Sequence, residues 1–249
     1  MKSFLVLLPF LLIIAQFTSM CGQLNNDPMS QGNNLVITKT GDFDITGEGS
    51  SENWEKTDWI QLSQLNNHDN VSYTTRLKIL YSDTGMYFLF ENEDAVLTAT
   101  MDEDFMELWH EDVVEIFLWP YEEDPVAYFE YELSPLNYEL PLLISNDNGN
   151  LAHWQPYSNS YRGDRKVRHH TSVSGGEKES GASVDQWMAE IFLPFDLLRP
   201  LKNISPESGT RWRANFYRID YDKGQTLYAW QPIDRTFHEY EKFGTIVFE

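Results

Sequence analysis

The dominant spacing in this chain is a side-chain period of two rather than 3.6. Residues 35–38, 72–81, 86–91, 113–119, 127–133, 187–193, 212–219, 227–231 and 244–248 are short, aromatic and β-branched, the pattern of strands with two unlike faces. Asp-Thr-Gly at 83–85, Asp-Asn-Gly at 147–149 and Asp-Lys-Gly at 222–224 punctuate them as turns. Many short strands separated by such turns predict an all-β domain, and aromatic residues crowding alternate positions favour two packed sheets over a barrel. The expected fold is a two-sheet antiparallel β-sandwich of immunoglobulin or jelly-roll type. Helix is confined to short turns near 103–108 and 194–198.

Residues 1–21 have a different composition. One positive charge at Lys2, an apolar run from Phe4 to Ala15 and small polar residues ahead of Cys21 predict an export signal, too short and wrongly flanked for a membrane span. Cys21 is the only cysteine, and its setting resembles the lipid-attachment site of bacterial lipoproteins. That resemblance implies cleavage before Cys21, acylation there and tethering to a membrane, in the periplasm or at the cell surface. Met20 stands where a small residue is usual, so simple secretion with cleavage nearby is the alternative. With Cys21 used in this way the exported chain has no disulfide, and stability must come from a packed core. Residues 22–34, rich in Asn, Gln, Ser and Asp, read as a flexible tether. Residues 35–249 read as one domain, expected to be monomeric, because no repeat or long linker interrupts them.

The formal charge of -21 disfavours nucleic acid and anionic lipid as partners, leaving neutral ligands, cations and basic partners. The basic island Arg162-Gly-Asp-Arg-Lys-Val-Arg-His-His170 lies in a polar, Gly-rich stretch and reads as an exposed loop or edge strand.

Residues 109–138 carry the most chemistry. Val113, Glu115, Phe117 and Trp119 share one face of a strand, and Val114, Ile116 and Leu118 the other. Both faces are apolar, so the strand is central and Glu115 is a carboxylate in a covered surface. Such a group requires a partner: an arginine such as Arg76 or Arg218, a bound cation, or the hydroxyls of a ligand. On the next strand Tyr128, Glu130 and Glu132 share a face, and hairpin pairing brings one of these glutamates towards Glu115. An aromatic plate beside carboxylates suits a pyranose, which presents a C–H face and a rim of hydroxyls. Trp109, ahead of the strand and beside His110, Glu111 and Asp112, is the expected exposed platform, with Trp154 second. Trp187, Trp212 and Trp230 lie within alternating strands and are expected in the core.

Trp109-x-x-Asp112-x-Val114-Glu115-Ile116-Phe117-Leu118, followed by an aromatic strand ending in Glu132-Leu133-Ser134-Pro135, resembles the family 9 carbohydrate-binding modules. Trp187-Met-Ala-Glu-Ile-Phe-Leu-Pro194, Arg213-Ala-Asn-Phe-Tyr-Arg-Ile-Asp220, Tyr228-Ala-Trp230 and Phe237-His-x-x-x-x-Phe243-Gly244 resemble that family's later strands, in order. The resemblance implies a sandwich that holds sugars, typically chain ends of plant polysaccharides, between two aromatic side chains, with calcium supporting the fold. It implies Trp109 as one sandwiching residue, Glu115 and Asp94 as ligand-binding acids, Phe237 where the second tryptophan falls, and Glu132 in place of a binding arginine. Tyr217 and Arg218, on the closing strand, complete the candidate ligand-binding set.

Other readings fit parts of the chain. Paired acids near an aromatic subsite also describe a glycoside hydrolase, with Asp112, Glu115, Glu130 and Glu132 as candidates. A haem-binding sandwich needs an axial pair from Met101, Met106, His110 or His153. A module whose sugar site has decayed would serve as a structural or protein-binding partner. Asp102-Glu-Asp104 and Glu122-Glu-Asp124 are acidic loops that could ligate calcium but lack the spacing of a defined calcium loop. No serine elbow, phosphate loop or dinucleotide fingerprint is present.

Overall fold

A computed structural model describes residues 34–65, 72–123, 126–157, 161–199 and 201–249. The export signal, Cys21 and the tether up to residue 33 lie outside the described residues. Alternation is realised as strands throughout: β1 (Asn34–Lys39), β2 (Ile60–Gln61), β3 (Ser63–Gln64), β4 (Thr75–Tyr81), β5 (Gly85–Glu93), β6 (Val113–Trp119), β7 (Ala127–Leu133), β8 (Glu139–Asp147), β9 (Asn150–Pro156), β10 (Arg168–Ser174), β11 (Gln186–Pro194), β12 (Arg211–Asp220), β13 (Thr226–Ala229) and β14 (Gly244–Phe248). The described helical residues form short 3-10 turns, including Phe195–Leu198 after Pro194 and Leu108–His110 ahead of β6.

Two sheets result. One has the order β10-β11-β5-β4-β1, and the other β1-β14-β12-β6-β7-β8-β9, with β13 on β12 and β3 on β13. β1 belongs to both: Asn34 to Ile37 pair with β14, and Thr38 and Lys39 then pair with β4. Both pairings are parallel, which departs from the antiparallel expectation. A single strand that switches sheets at the corner of a sandwich must meet each neighbour in the direction its chain already runs.

The space between the sheets is filled from one face of each strand. Ile79 and Tyr81, Phe88 and Phe90, Val114 and Ile116, Phe129 and Tyr131, Trp187, Trp212 and Phe216 are all buried there. Each such side chain contributes about 1.5–3 kcal/mol of transfer free energy. Trp187 and Trp212 are core residues, as their position in alternating strands predicted.

Sequence reading missed β8 and β9, because Pro141 and polar residues dilute their period. They form a hairpin closed by Asn148 and Gly149, both at positive φ, the arrangement that a two-residue turn between twisted strands favours. The basic island enters β10, an edge strand paired only to β11.

The outer faces of both sheets are also apolar and therefore covered. On the first, residues 43–59 pack over Leu80, Tyr87 and Leu89. The buried Glu190 carboxylate holds that segment, accepting from the amides of Thr46 and Gly47 and from Trp54 Nε1, each at 2.8 Å. On the second, the 108–110 turn and the segment between β13 and β14 lie over Val113, Phe117, Tyr128, Leu142, Tyr217 and Ile219. This second cover is incomplete and leaves a cavity.

Candidate functional site

The cavity encloses about 320 Å³. Its floor is the outer face of the second sheet: Glu115 and Phe117 from β6, Glu130 from β7, Leu142 and Ile144 from β8, Ile219 from β12. Trp109, Trp154 and the segment 233–238 form its walls. The floor residues converge because alternation puts them on one face and register aligns them, Glu115 opposite Glu132 and Phe117 opposite Glu130.

The aromatic walls are held from behind. Asp112 is buried at the start of β6, where it accepts from the amides of Thr98 at 2.6 Å and Tyr221 at 2.8 Å. Tyr221 in turn donates to the Trp109 carbonyl at 3.0 Å. These bonds place the Trp109 indole at the cavity edge, where it meets Trp154 edge to face, with ring centroids 5.4 Å apart and planes at 78°. Trp154 arrives there through the β8–β9 hairpin, opposite Ile144.

Across the cavity, Phe237 stacks flat on Tyr217, centroids 3.9 Å apart and planes at 7°. The Tyr217 hydroxyl donates to the Phe237 carbonyl at 2.9 Å. The Glu239 carboxylate accepts from the amides of Asp234 and Arg235 and from the Arg235 side chain. Burial opposes charge on Glu239, but these donors outweigh it and hold its pKa down to about 2. The wall is thus set by an ionised carboxylate at any pH well above that value.

The floor carboxyls behave in the opposite way. Glu115, Glu130 and Glu132 are all buried. Burial pushes each upward, Glu130 to about 8, and the neighbouring acids raise Glu115 and Glu132 further. His238, also lining the cavity, is pushed down to about 4 by burial and is neutral at pH 7. Burial keeps the Tyr128 hydroxyl protonated, and it shares a hydrogen bond of 2.7 Å with His238 Nδ1.

A pH dependence follows from Glu130. Its folded pKa lies above its unfolded value, so between about pH 4.5 and 8 the folded chain holds the extra proton and this group's contribution to stability falls as pH rises. Glu130→Gln is expected to gain melting temperature relative to wild type across that window and to hold a constant difference above it. Thermal melts of both proteins at pH 5, 7 and 9 test this, and parallel profiles would refute it.

Comparison with known proteins identifies the family and the fold. The model of carbohydrate-binding family 9 matches residues 51–248. The chain belongs to carbohydrate-binding family 9. It is 25% identical over 184 residues to an "Extracellular protein" of Arthroderma benhamiae, covering 70% of this chain and 78% of that one. In fold it resembles a candidate carbohydrate-binding protein from Bacteroides uniformis, with a TM-score of 0.70 and 18% identity over 87% of this chain and 99% of the other. It also resembles a family 9 module from Caldicellulosiruptor kristjanssonii solved with cellotriose, with a TM-score of 0.60 and 16% identity over 87% and 94%.

Within this family 9 domain the structure brings together four of the candidate residues, Trp109, Glu115, Trp154 and Phe237, around one cavity. Four others stand elsewhere. Glu132 is opposite Glu115 but fully buried beside the floor, not on its surface. Tyr217 lies beneath Phe237, its hydroxyl already bonded to Asn215 and the Phe237 carbonyl. Asp94 and Arg218 face away from the cavity, because residue 218 is out of phase with Tyr217 and Ile219 on β12.

Arg218 is 0% exposed. It donates to Asp94 Oδ2 at 3.0 Å, Asp220 Oδ2 at 2.6 Å, Thr75 Oγ1 at 3.1 Å and the Glu93 carbonyl at 2.6 Å. Arg76 pairs with Glu91 on the other sheet. Neither arginine is the partner of Glu115.

Among the described residues, Asp94, Asp220 and Asp222 are the carboxylates grouped closely enough to share a metal ion. They do not suit calcium, which takes six to eight oxygens. Five of their six oxygens already accept from Arg218, Trp187, Tyr73 or backbone amides, and only Asp222 Oδ1 lacks a donor. The guanidinium supplies the positive charge. Of the acidic loops, 102–104 is exposed, Glu122 pairs with Arg211 at 2.5 Å, and Asp124 lies outside the described residues.

Glu130, Arg235 and His238 line the cavity without having been singled out as ligand-binding. Alternation carried the signal for Glu130, which shares a face with Glu132. Arg235 and His238 sit in an irregular segment, and only the long-range packing of that segment over the sheet reveals them.

Proposed function

We propose that this chain binds carbohydrate without cleaving it, as an exported module tethered by lipid at Cys21 and engaged in polysaccharide capture. The observation that carries the reading is the cavity itself. Trp109 and Trp154 on one side and Phe237 on the other offer apolar plates for a pyranose C–H face, and Glu115 and Glu130 on the floor accept from its hydroxyls. Its volume suits one or two sugar rings. The cellotriose and glucose complexes of the Caldicellulosiruptor kristjanssonii module support a saccharide ligand, and the extracellular description of the fungal relative supports export.

A binding role is favoured over hydrolysis by the family to which the chain belongs. Glu115 and Glu130 rise from adjacent strands into one aromatic-walled cavity, and the family model matched by this chain is that of a binding module.

Titration of the wild-type protein with glucose, cellotriose and a wider glycan panel tests the proposal. Saturable quenching or shift of tryptophan emission is expected, since two indoles line the cavity. Unchanged emission and no heat of binding across the whole panel would replace this reading with that of a protein-interaction module.

A further inference from the structure

The polar groups of the cavity floor are carboxyls. Glu115 and Glu132 face each other across β6 and β7, and Glu130 lies two residues along on the same face. Glu130 is only 4% exposed, lines the cavity and leaves Oε2 without a donor. The basic groups that could balance these acids are engaged elsewhere. Arg218 serves the aspartates on the opposite face of β12. Arg235, at the rim, is bound to Glu239 at 2.7 Å and Glu241 at 3.2 Å. His238 is hydrogen-bonded to Tyr128 and is neutral.

Buried carboxyls with no basic neighbour among the described residues hold their protons, and a ligand that brings positive charge can take the place of such a proton. A sugar hydroxyl supplies one neutral donor, whereas an ammonium supplies three donors and a positive charge. The flanking indoles add cation–π attraction to the same group, and the chain's net charge of -21 favours approach of a cation.

We propose that this cavity selects sugars bearing a protonated amino group, such as a 2-amino-2-deoxyhexose or its oligomer, over their neutral counterparts, with Glu130 as the residue that sets the preference. The proposal rests on the carbohydrate reading above and specifies its ligand class.

The test compares glucose, glucosamine and N-acetylglucosamine by calorimetry at pH 6, where the free amine is protonated and Glu130, protonated in the free protein, releases its proton to the buffer as the ammonium binds. The latter two share a position of substitution but differ in charge. Glucosamine is expected to bind about tenfold more tightly than either neutral sugar, the scale of one additional charge-assisted contact. In Glu130→Gln, and independently in Glu115→Gln should the first not fold, the ratio is expected to fall towards one. Equal affinity for glucose and glucosamine in the wild type would overturn the proposal and leave carbohydrate binding standing. A preference that survives both substitutions would overturn the assignment to the floor acids. Binding of none of the three, nor of any glycan in the wider panel, would remove both readings.

Discussion

Arg218→Met is expected to destabilise the domain by about 3–5 kcal/mol, because removing one partner of a buried ion network leaves the others uncompensated. Among the described residues the guanidinium is the only cation bonded to Asp94 and Asp220, and it also donates to Thr75 Oγ1 and the Glu93 carbonyl. Even beside it, burial lifts the Asp94 pKa to about 7, with the neighbouring aspartates adding to the effect. Without it the folded chain retains those protons to still higher pH, so the penalty grows as pH rises past about 7, where the wild-type Asp94 gives up its proton. Urea unfolding at pH 5 and pH 8 measures both effects. The larger loss should be at pH 8, and a loss below about 1 kcal/mol at both values would show that the network is not stabilising. Arg218→Lys keeps a charge, and any such variant that folds should bind sugar as the wild type does, because the network faces away from the cavity.

Trp109→Ala is expected to weaken sugar binding by about thirtyfold while leaving the fold intact. Stacking on an indole removes on the order of 80 Å² of apolar surface from water, worth about 2 kcal/mol at about 25 cal/mol per Å². Trp109 is only partly buried, and the bond that holds its turn is made to its carbonyl, which alanine retains. The opposite wall cannot compensate, since one face of Phe237 is already taken by Tyr217. Calorimetry with the best glycan from the panel reads the loss, and far-UV circular dichroism reads the fold. Wild-type affinity in the alanine variant would move the binding site away from this cavity.

These two residues show how differently the sequence reveals a site. Trp109 was legible because its signal is local, an aromatic residue in a polar, acidic stretch just ahead of a strand. Glu115 was legible as a covered carboxylate because its own strand is apolar on both faces. Arg218 was not legible as a structural group. Asp94 lies 124 residues away in sequence, and nothing near either residue announces the pairing. The same limitation turned Tyr217 from a possible ligand contact into the support beneath Phe237, a role defined by a segment that packs back from residue 237.

The sequence by itself determined the strands and which side chains share a face, because a period of two is imposed by the backbone of each strand independently of its neighbours. It thereby placed Glu115 on one face of β6 and Glu130 with Glu132 on one face of β7. Only the tertiary structure decided which of two apolar faces became the sandwich core and which the cavity floor. That choice depends on sheet order, register and the segment laid over the outer face, all of them contacts between residues far apart in the chain. Tertiary structure likewise decided that the floor acids have no basic partner among the described residues, because the arginines that could have served them are bound to other carboxylates or carbonyls.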